Sequence, residues 1–242
     1  MKNMKLIGEI KKIEKEEKVK VLFLIESGSR AWGWESEDSD YDIRGVYVQD
    51  YLVVEEVKKQ IDGSFDNLDI TLWDFRKFLQ LMIKSNPSVW EWLSSDIIYI
   101  ENPLRKKLRK IFERDFNKTK LKKHYVSMAM QNFHKYINKI GDTANLKKYI
   151  YVLRSVACVL WIEKYKSPPP KNYKKVIGLL PKNIKKFFEK IILEKRKSEG
   201  LSGKRNKEAE NYIISFFDKD FENDKDKFNV NELNKLFKDI LK

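Results

Sequence analysis

The chain has 242 residues, with 50 Lys plus Arg against 36 Asp plus Glu and a net charge of +14; its 42% hydrophobic and 13% aromatic residues suffice for a packed core and exclude disorder throughout. Apolar runs fall far short of the roughly 20 residues that cross a bilayer, and the charge-interrupted N-terminus lacks the apolar stretch of a signal peptide. The single Cys158 excludes an internal disulfide or a cysteine-based zinc cluster, and 2 His give little for a histidine-rich site, so a cytoplasmic protein without a membrane partner is expected, any metal being held by oxygen.

Apart from Lys20, residues 19–25 are apolar and β-branched, which predicts a buried strand. Residues 41–49 alternate through Tyr41, Ile43 and Tyr47 with a slip near Gly45, predicting a second. In a third, Leu68, Ile70 and Leu72 share one face while Asp69 and Thr71 take the other. The period then turns helical. Asp74 stands where an N-cap would, Phe75, Phe78, Leu79, Met82 and Ile83 follow at helical spacing, and Ser85-Asn86-Pro87 ends the helix. From Pro103 the patterns are helical over residues 104–116, 122–140, 146–166, 184–197, 207–217 and 230–241. Pro168-Pro169-Pro170 is a stiff break, and residues 199–204, with Gly200 and Gly203, a flexible one. This order predicts a small α/β domain over residues 1–100 and a helical domain over residues 101–242. Charge divides the same way: residues 1–100 hold 14 Lys plus Arg and 19 Asp plus Glu, residues 101–242 hold 36 and 17. A basic second half suits a polyanionic partner, and a solvated lysine-rich surface would give the same balance.

The stretch Glu26-Ser27-Gly28-Ser29-Arg30-Ala31-Trp32-Gly33-Trp34-Glu35-Ser36-Glu37-Asp38-Ser39-Asp40-Tyr41-Asp42-Ile43-Arg44 carries the most chemistry. It leaves a buried strand, passes a Gly-Ser turn and reaches carboxylates at i and i+2, which a strand projects from one face. Adjacent carboxylates repel, and a hard divalent cation relieves that repulsion. Gly28 lets the backbone approach a phosphate, Ser29 can donate to it, and a short helix begun by Arg30 would add its positive end.

A Gly-Ser turn followed at this distance by Asp-x-Asp resembles the signature of the DNA polymerase β nucleotidyltransferase superfamily. The fuller string GSRAWGWESEDSDYDIR resembles the RNA repair pathway polymerase-β-like family. TLWDFRKFLQLMIKSNPSVWEWL is similar to that family's next strand, helix and turn, and Lys147-Lys148-Tyr149-Ile150-Tyr151-Val152-Leu153-Arg154 to a helix of its second domain. The resemblance covers residues 20–170, with Glu37 where relatives often carry proline. It implies an α+β fold, a mixed nucleotidyltransferase sheet with helices followed by an α-helical domain. It also implies a third carboxylate from a later strand: Asp69 is favoured over Asp66, which precedes the strand, and Asp74, whose capping role suffices. Asp40, Asp42 and Asp69 would then be the catalytic, metal-binding carboxylates, holding two Mg²⁺, or Mn²⁺, about 3.5–4 Å apart. Asp69 would also receive the attacking hydroxyl's proton. Gly28, Ser29 and Arg30 would bind nucleotide.

On residues 146–166, at about 100° per residue, Lys147, Lys148, Tyr151, Arg154, Ser155 and Cys158 share one face, with Ile150, Leu153, Val156, Ala157 and Leu160 elsewhere. Lys147, Lys148, Tyr151 and Arg154 read as a clamp on phosphates and base, or as the solvated edge of a core helix; the resemblance favours the clamp. Trp32 and Trp34 either stack on a base or pack the loop down, and His124 and His134 read as structural. The resulting expectation is transfer of a nucleoside monophosphate from an NTP, ATP foremost, to an acceptor hydroxyl with release of pyrophosphate. An RNA 3′ end is the leading acceptor, with a protein or small-molecule hydroxyl as alternatives. A binding protein with a decayed site is disfavoured, because all three carboxylates are present.

Overall fold

The computed structural model describes residues 2–36, 39–52, 57–196 and 201–242. These form two compact units, neither continuous in sequence: the first comprises Met1–Ala31, Asp40–Phe116 and Lys227–Lys242, the second Trp32–Ser39 and Asn117–Asp226.

The first unit is built on β1 (Val19–Glu26), β2 (Tyr41–Gln49), β3 (Gln60–Phe65), β4 (Leu68–Asp74) and β5 (Ile98–Ile100). Their order is β3-β4-β2-β1-β5, with β2 and β4 parallel and the other pairs antiparallel. Strand β1 lies inside the sheet, as its nearly unbroken apolar sequence requires; all its residues but Lys20 are buried. On one face, Leu6 and Ile10 of α1 (Lys2–Glu17) join Val21, Leu24, Ile43, Tyr47, Ile70 and Leu72 in a continuous core. On the other, Phe23 meets Phe78 of α3 (Phe75–Ile83) edge to face at 5.8 Å. The slip near Gly45 has a physical cause. The β1–β2 register shifts between Val21 and Phe23, and a Cβ on Gly45 would lie 2.8 Å from the Phe23 carbonyl oxygen and the Leu24 side chain.

Asp74 caps α3 as expected, accepting the Lys77 N–H at 3.1 Å, and its other oxygen takes Gln49 and Tyr51. After Ser85-Asn86 the chain forms a further helix, α4 (Pro87–Leu93), capped by Asn86. The expected division at residue 100 runs differently in space, because two later helices complete the first unit. In α5 (Pro103–Asp115), Phe112 stacks on Trp90 at 5.5 Å; in α11 (Val230–Ile240), Phe237 lies against Tyr51 and Phe75 at 5.2 and 5.7 Å.

The second unit is organised around α7 (Leu146–Tyr165), whose Tyr149, Ile150, Val152, Leu153, Ala157 and Val159 are inaccessible to solvent. It is surrounded by α6 (Lys118–Asn132), α8 (Tyr173–Ile177), α9 (Lys182–Lys195) and α10 (Lys207–Ile214). The helix expected over residues 122–140 ends its α-helical course at Asn132 and continues through a π-helical turn, Phe133–Ile137, closed by Asn138 N–H donating to the Phe133 carbonyl at 2.8 Å. Of the flexible break expected over residues 199–204, Glu199 and Gly200 lie outside the described residues. Ser202–Lys204 form strand β7, paired with β6 (Thr143–Asn145). A Cβ on Gly203 would come within 2.7 Å of Leu146, so this glycine serves close packing.

Candidate active site

The turn after β1 is set by Gly28, whose φ of 58° lies in the left-handed region. It opens a five-residue helix, α2 (Gly28–Trp32), with Ser29 buried. A Cβ at Gly28 would fall 1.8 Å from Asp42 Oδ2, so glycine is required for the Asp42 carboxylate to lie against the turn. Two further bonds fix Asp42: its N–H donates to Glu26 Oε1 at 2.8 Å, and its carbonyl accepts the Ser27 N–H at 2.8 Å. The Arg30 guanidinium lies over the Tyr41 ring at 3.9 Å and donates to the Asp40 carbonyl at 3.3 Å.

Parallel pairing puts Asp42 directly opposite Asp69, with Ile43 opposite Ile70. The apolar partners face the α1 side, so both carboxylates emerge on the opposite face. Asp40 is exposed and precedes β2 by one residue, so strand alternation does not fix its side chain. Asp66 occupies the β3–β4 turn at φ 50° and pairs with Lys5 at 3.8 Å. Asp74 is buried by its capping duties. Of the sequence candidates, Asp42 and Asp69 are thus brought together, and the rivals to Asp69 are occupied elsewhere.

Arg44 lies between the two carboxylates. Its Nη2 donates to Asp42 Oδ1 at 3.0 Å and to Asp69 Oδ2 at 2.8 Å, and its Nη1 to the carbonyls of Ile43 and Asp69 at 2.9 and 2.7 Å. Behind Asp42, Glu26 is fully buried, with Tyr99 Oη donating to its Oε2 at 2.5 Å. Burial pushes the Glu26 carboxyl above its ordinary pKa, partly offset by the Tyr99 and Asp42 hydrogen bonds. The same burial, with Glu26 beside it, raises the Tyr99 phenol. The sequence reading gave neither Glu26 nor Arg44 a role. Their signals were there: a lone carboxylate ends a buried strand, and an arginine stands two residues beyond Asp42, on its face.

In the second unit, Trp34, Ser36 and Ser39 are buried. Trp34 is fully buried among Trp32, Tyr151, Tyr173 and Phe188, with ring centroids 5.1–6.2 Å away. The two tryptophans therefore pack the loop down. Arg154 is also buried, its guanidinium 4.3 Å from the Trp32 ring centre, and Ser155 and Cys158 are enclosed with it. The lower part of the expected cationic stripe is thus interior. Lys147 and Lys148 stay partly exposed, and Lys148 lies over Tyr136 and Tyr151 at 4.3 and 5.4 Å. Beside Tyr136, the Lys135 ammonium holds that phenol below its ordinary value. Lys195 of α9 is completely buried. Its Nζ donates to the Trp34 carbonyl at 3.4 Å, Ser36 Oγ at 3.5 Å and Ser39 Oγ at 3.3 Å, tying down the loop that precedes Asp40. His134 packs against Phe217 at 5.7 Å, in keeping with a structural histidine.

A strand pair with opposed carboxylates behind a Gly-Ser turn has the layout of a polymerase-β-like nucleotidyltransferase. The chain matches the RNA repair pathway DNA polymerase beta family (RlaP) over residues 3–239 and belongs to that family. It is 39% identical over 204 residues to the uncharacterized protein YcgL of Bacillus subtilis (strain 168), spanning 81% of this chain and 78% of that one. Among solved structures, a nucleotidyltransferase-like protein from Exiguobacterium sibiricum 255-15 is similar over 76% of this chain and 73% of its own, at a TM-score of 0.30 and 16% identity. Divalent metals are typical of such transferases. The donor set fits one, since carboxylate oxygens suit a hard cation. Among the described residues, no three metal-ligating side chains already stand close enough to hold an ion, and no helix is long and apolar enough to cross a membrane.

Proposed function

We propose that the first unit catalyses attack of an acceptor hydroxyl on the α-phosphorus of an NTP, ATP foremost. The bond from that phosphorus to the bridging oxygen breaks, and pyrophosphate leaves. Asp40, Asp42 and Asp69 would hold Mg²⁺ or Mn²⁺, which when bound supplies charge neutralisation for the triphosphate and activation of the hydroxyl. The observation that carries this reading is the registered opposition of Asp42 and Asp69 beside a turn that only glycine can make. Glu26 holds the Asp42 main chain in place. Asp69, the more exposed of the two at 56% against 30%, accepts the proton released by the hydroxyl. Ser29 and the amides of the turn bind phosphate oxygens and Arg30 adds charge; in the helical unit Lys147, Lys148 and Tyr151 keep the nucleotide-binding role expected of them, whereas Arg154, buried against Trp32, serves packing there.

An RNA 3′ end is the acceptor we favour, because the basic second half of the sequence suits a polyanion and the exposed lysines around Tyr136 offer charge next to an aromatic ring. Incubation with each labelled NTP and Mg²⁺, with RNA, DNA or protein as acceptor, tests both parts. Labelled RNA, lost in Asp42→Asn and Asp69→Asn, is the expected result. Transfer at the wild-type rate by either variant would refute the site, and label confined to protein would refute the acceptor. RNA affinity should also fall with salt by roughly 0.7 log unit per log unit for each phosphate contacted.

A further inference from the structure

We propose that Arg44 is an internal counter-charge that a divalent cation must displace, so that loading the site and releasing the Arg44 side chain from the carboxylates are one exchange. The inference rests on the metal-dependent reading above and adds a residue to it. Asp42 and Asp69 sit on paired positions of adjacent strands, where two negative charges on one face repel. Arg44 occupies the same face of β2, and its Nη2 engages both carboxylates at once. The lone pairs that a cation would need are thus partly directed at a guanidinium nitrogen, and a second positive charge placed there would be repelled.

The arrangement is suited to exchange. Nη1 donates to two main-chain carbonyls and takes no part in the carboxylate contacts; because the guanidinium is rigid and planar, withdrawing Nη2 swings Nη1 with it, and the exchange passes these donors to water together. The Asp69 side chain is 56% exposed and that of Arg44 18%, which leaves an aqueous approach on the Asp69 side. The positive charge that stabilises the metal-free protein therefore also lowers its affinity for metal. Without Arg44 the two should move in opposite directions.

Mn²⁺ is the probe, with free Mn²⁺ measured by electron paramagnetic resonance and melting followed with and without metal. Arg44→Gln should bind Mn²⁺ about tenfold more tightly than wild type, melt at a lower temperature in chelator, and gain more from Mn²⁺. Arg44→Lys, which keeps the charge, should bind within about twofold of wild type. A folded Arg44→Gln that binds Mn²⁺ no better than wild type would overturn the exchange and leave the metal reading standing. Binding by neither protein would overturn the metal reading, and the exchange with it. Should Arg44→Gln not fold, the wild-type protein decides. Its Arg44 side-chain NMR resonance, assigned by its absence from Arg44→Lys, should shift on addition of Mg²⁺, and an unmoved resonance in metal-bound protein would overturn the proposal.

Discussion

Replacing Gly28 with alanine should separate a backbone cost from a site cost. Any L-residue held at φ 58° loses about 1–2 kcal/mol relative to glycine, a drop of roughly 2–8 °C in Tm for a chain of this size. The added methyl has a second effect. At 1.8 Å from Asp42 Oδ2 it is about 1.2 Å inside the 3.0 Å that Cβ atoms keep, and it also lies 2.6 Å from Asp42 Cγ, so rotating one oxygen away is insufficient. The carboxylate must leave its place opposite Asp69, and displacements near 1 Å in a reacting constellation cost on the order of 100-fold in rate. Gly33→Ala is the internal control: its φ of 90° carries a backbone penalty of the same kind, but the nearest atoms to the new methyl are Tyr173 ring carbons at 3.9 Å, an ordinary contact. Melting, Mn²⁺ binding and labelled-NTP transfer should be measured on both. We expect similar losses of Tm and a further loss of about 100-fold in transfer for Gly28→Ala alone. Equal transfer by the two variants would refute the argument that Gly28 makes room for Asp42.

Lys195→Met should leave the acceptors of the 34–39 loop without their buried donor, costing about 1–3 kcal/mol, and limited proteolysis should then cut within that loop sooner than in wild type; unchanged protection would show that the aromatic cluster holds the loop by itself. In the second unit, Arg205 and the Tyr149 hydroxyl both bind Glu210; burial opposes its ionisation, but these partners outweigh it and its pKa lies below the ordinary 4.5. A depressed folded pKa means stability present above pH 4.5 and lost as the pH falls through the folded value. Glu210→Gln should therefore lower Tm at neutral pH, with the gap to wild type narrowing as the pH falls below about 4.5; a constant gap would remove Glu210 from the acid response.

Much of the sheet could be read because its strands carry their own burial pattern. In β1, β2 and β4, runs of Val, Ile, Leu and Tyr report two buried faces or one. Strand β3 offers only Ile61 as a buried residue, being an edge strand, and β5 has three half-buried residues, too few for a period. Helix α1 was obscured because Leu6 and Ile10 are spaced among charges that the N-terminal sequence has in excess. At the site, the alternation around Asp69 and the family resemblance put that carboxylate forward, and the β2–β4 register sets it opposite Asp42. For Arg44 and Glu26 the local pattern marks the positions but not the partners: Asp69 and Tyr99 lie 25 and 73 residues away along the chain. The burial of Arg154 is long-range in the same way: the ring that covers it, Trp32, arrives from a loop far upstream.

That loop also decides how the protein can be divided. Eight residues between the Gly-Ser turn and Asp40 are structural property of the helical unit, and the last sixteen residues of the chain return to the sheet. No single cut yields either unit whole: an N-terminal fragment ending at Phe116 would expose the α11 seat on Tyr51 and Phe75 and carry Trp34 without its aromatic enclosure. Inheritance by recombination faces the same obstacle, since exchanging the helical unit as a cassette would part Lys195 from the serines it was matched to. The short loop and the long helical segment are bound to vary as a pair, and a chimera between relatives should fold only when both are taken from the same parent.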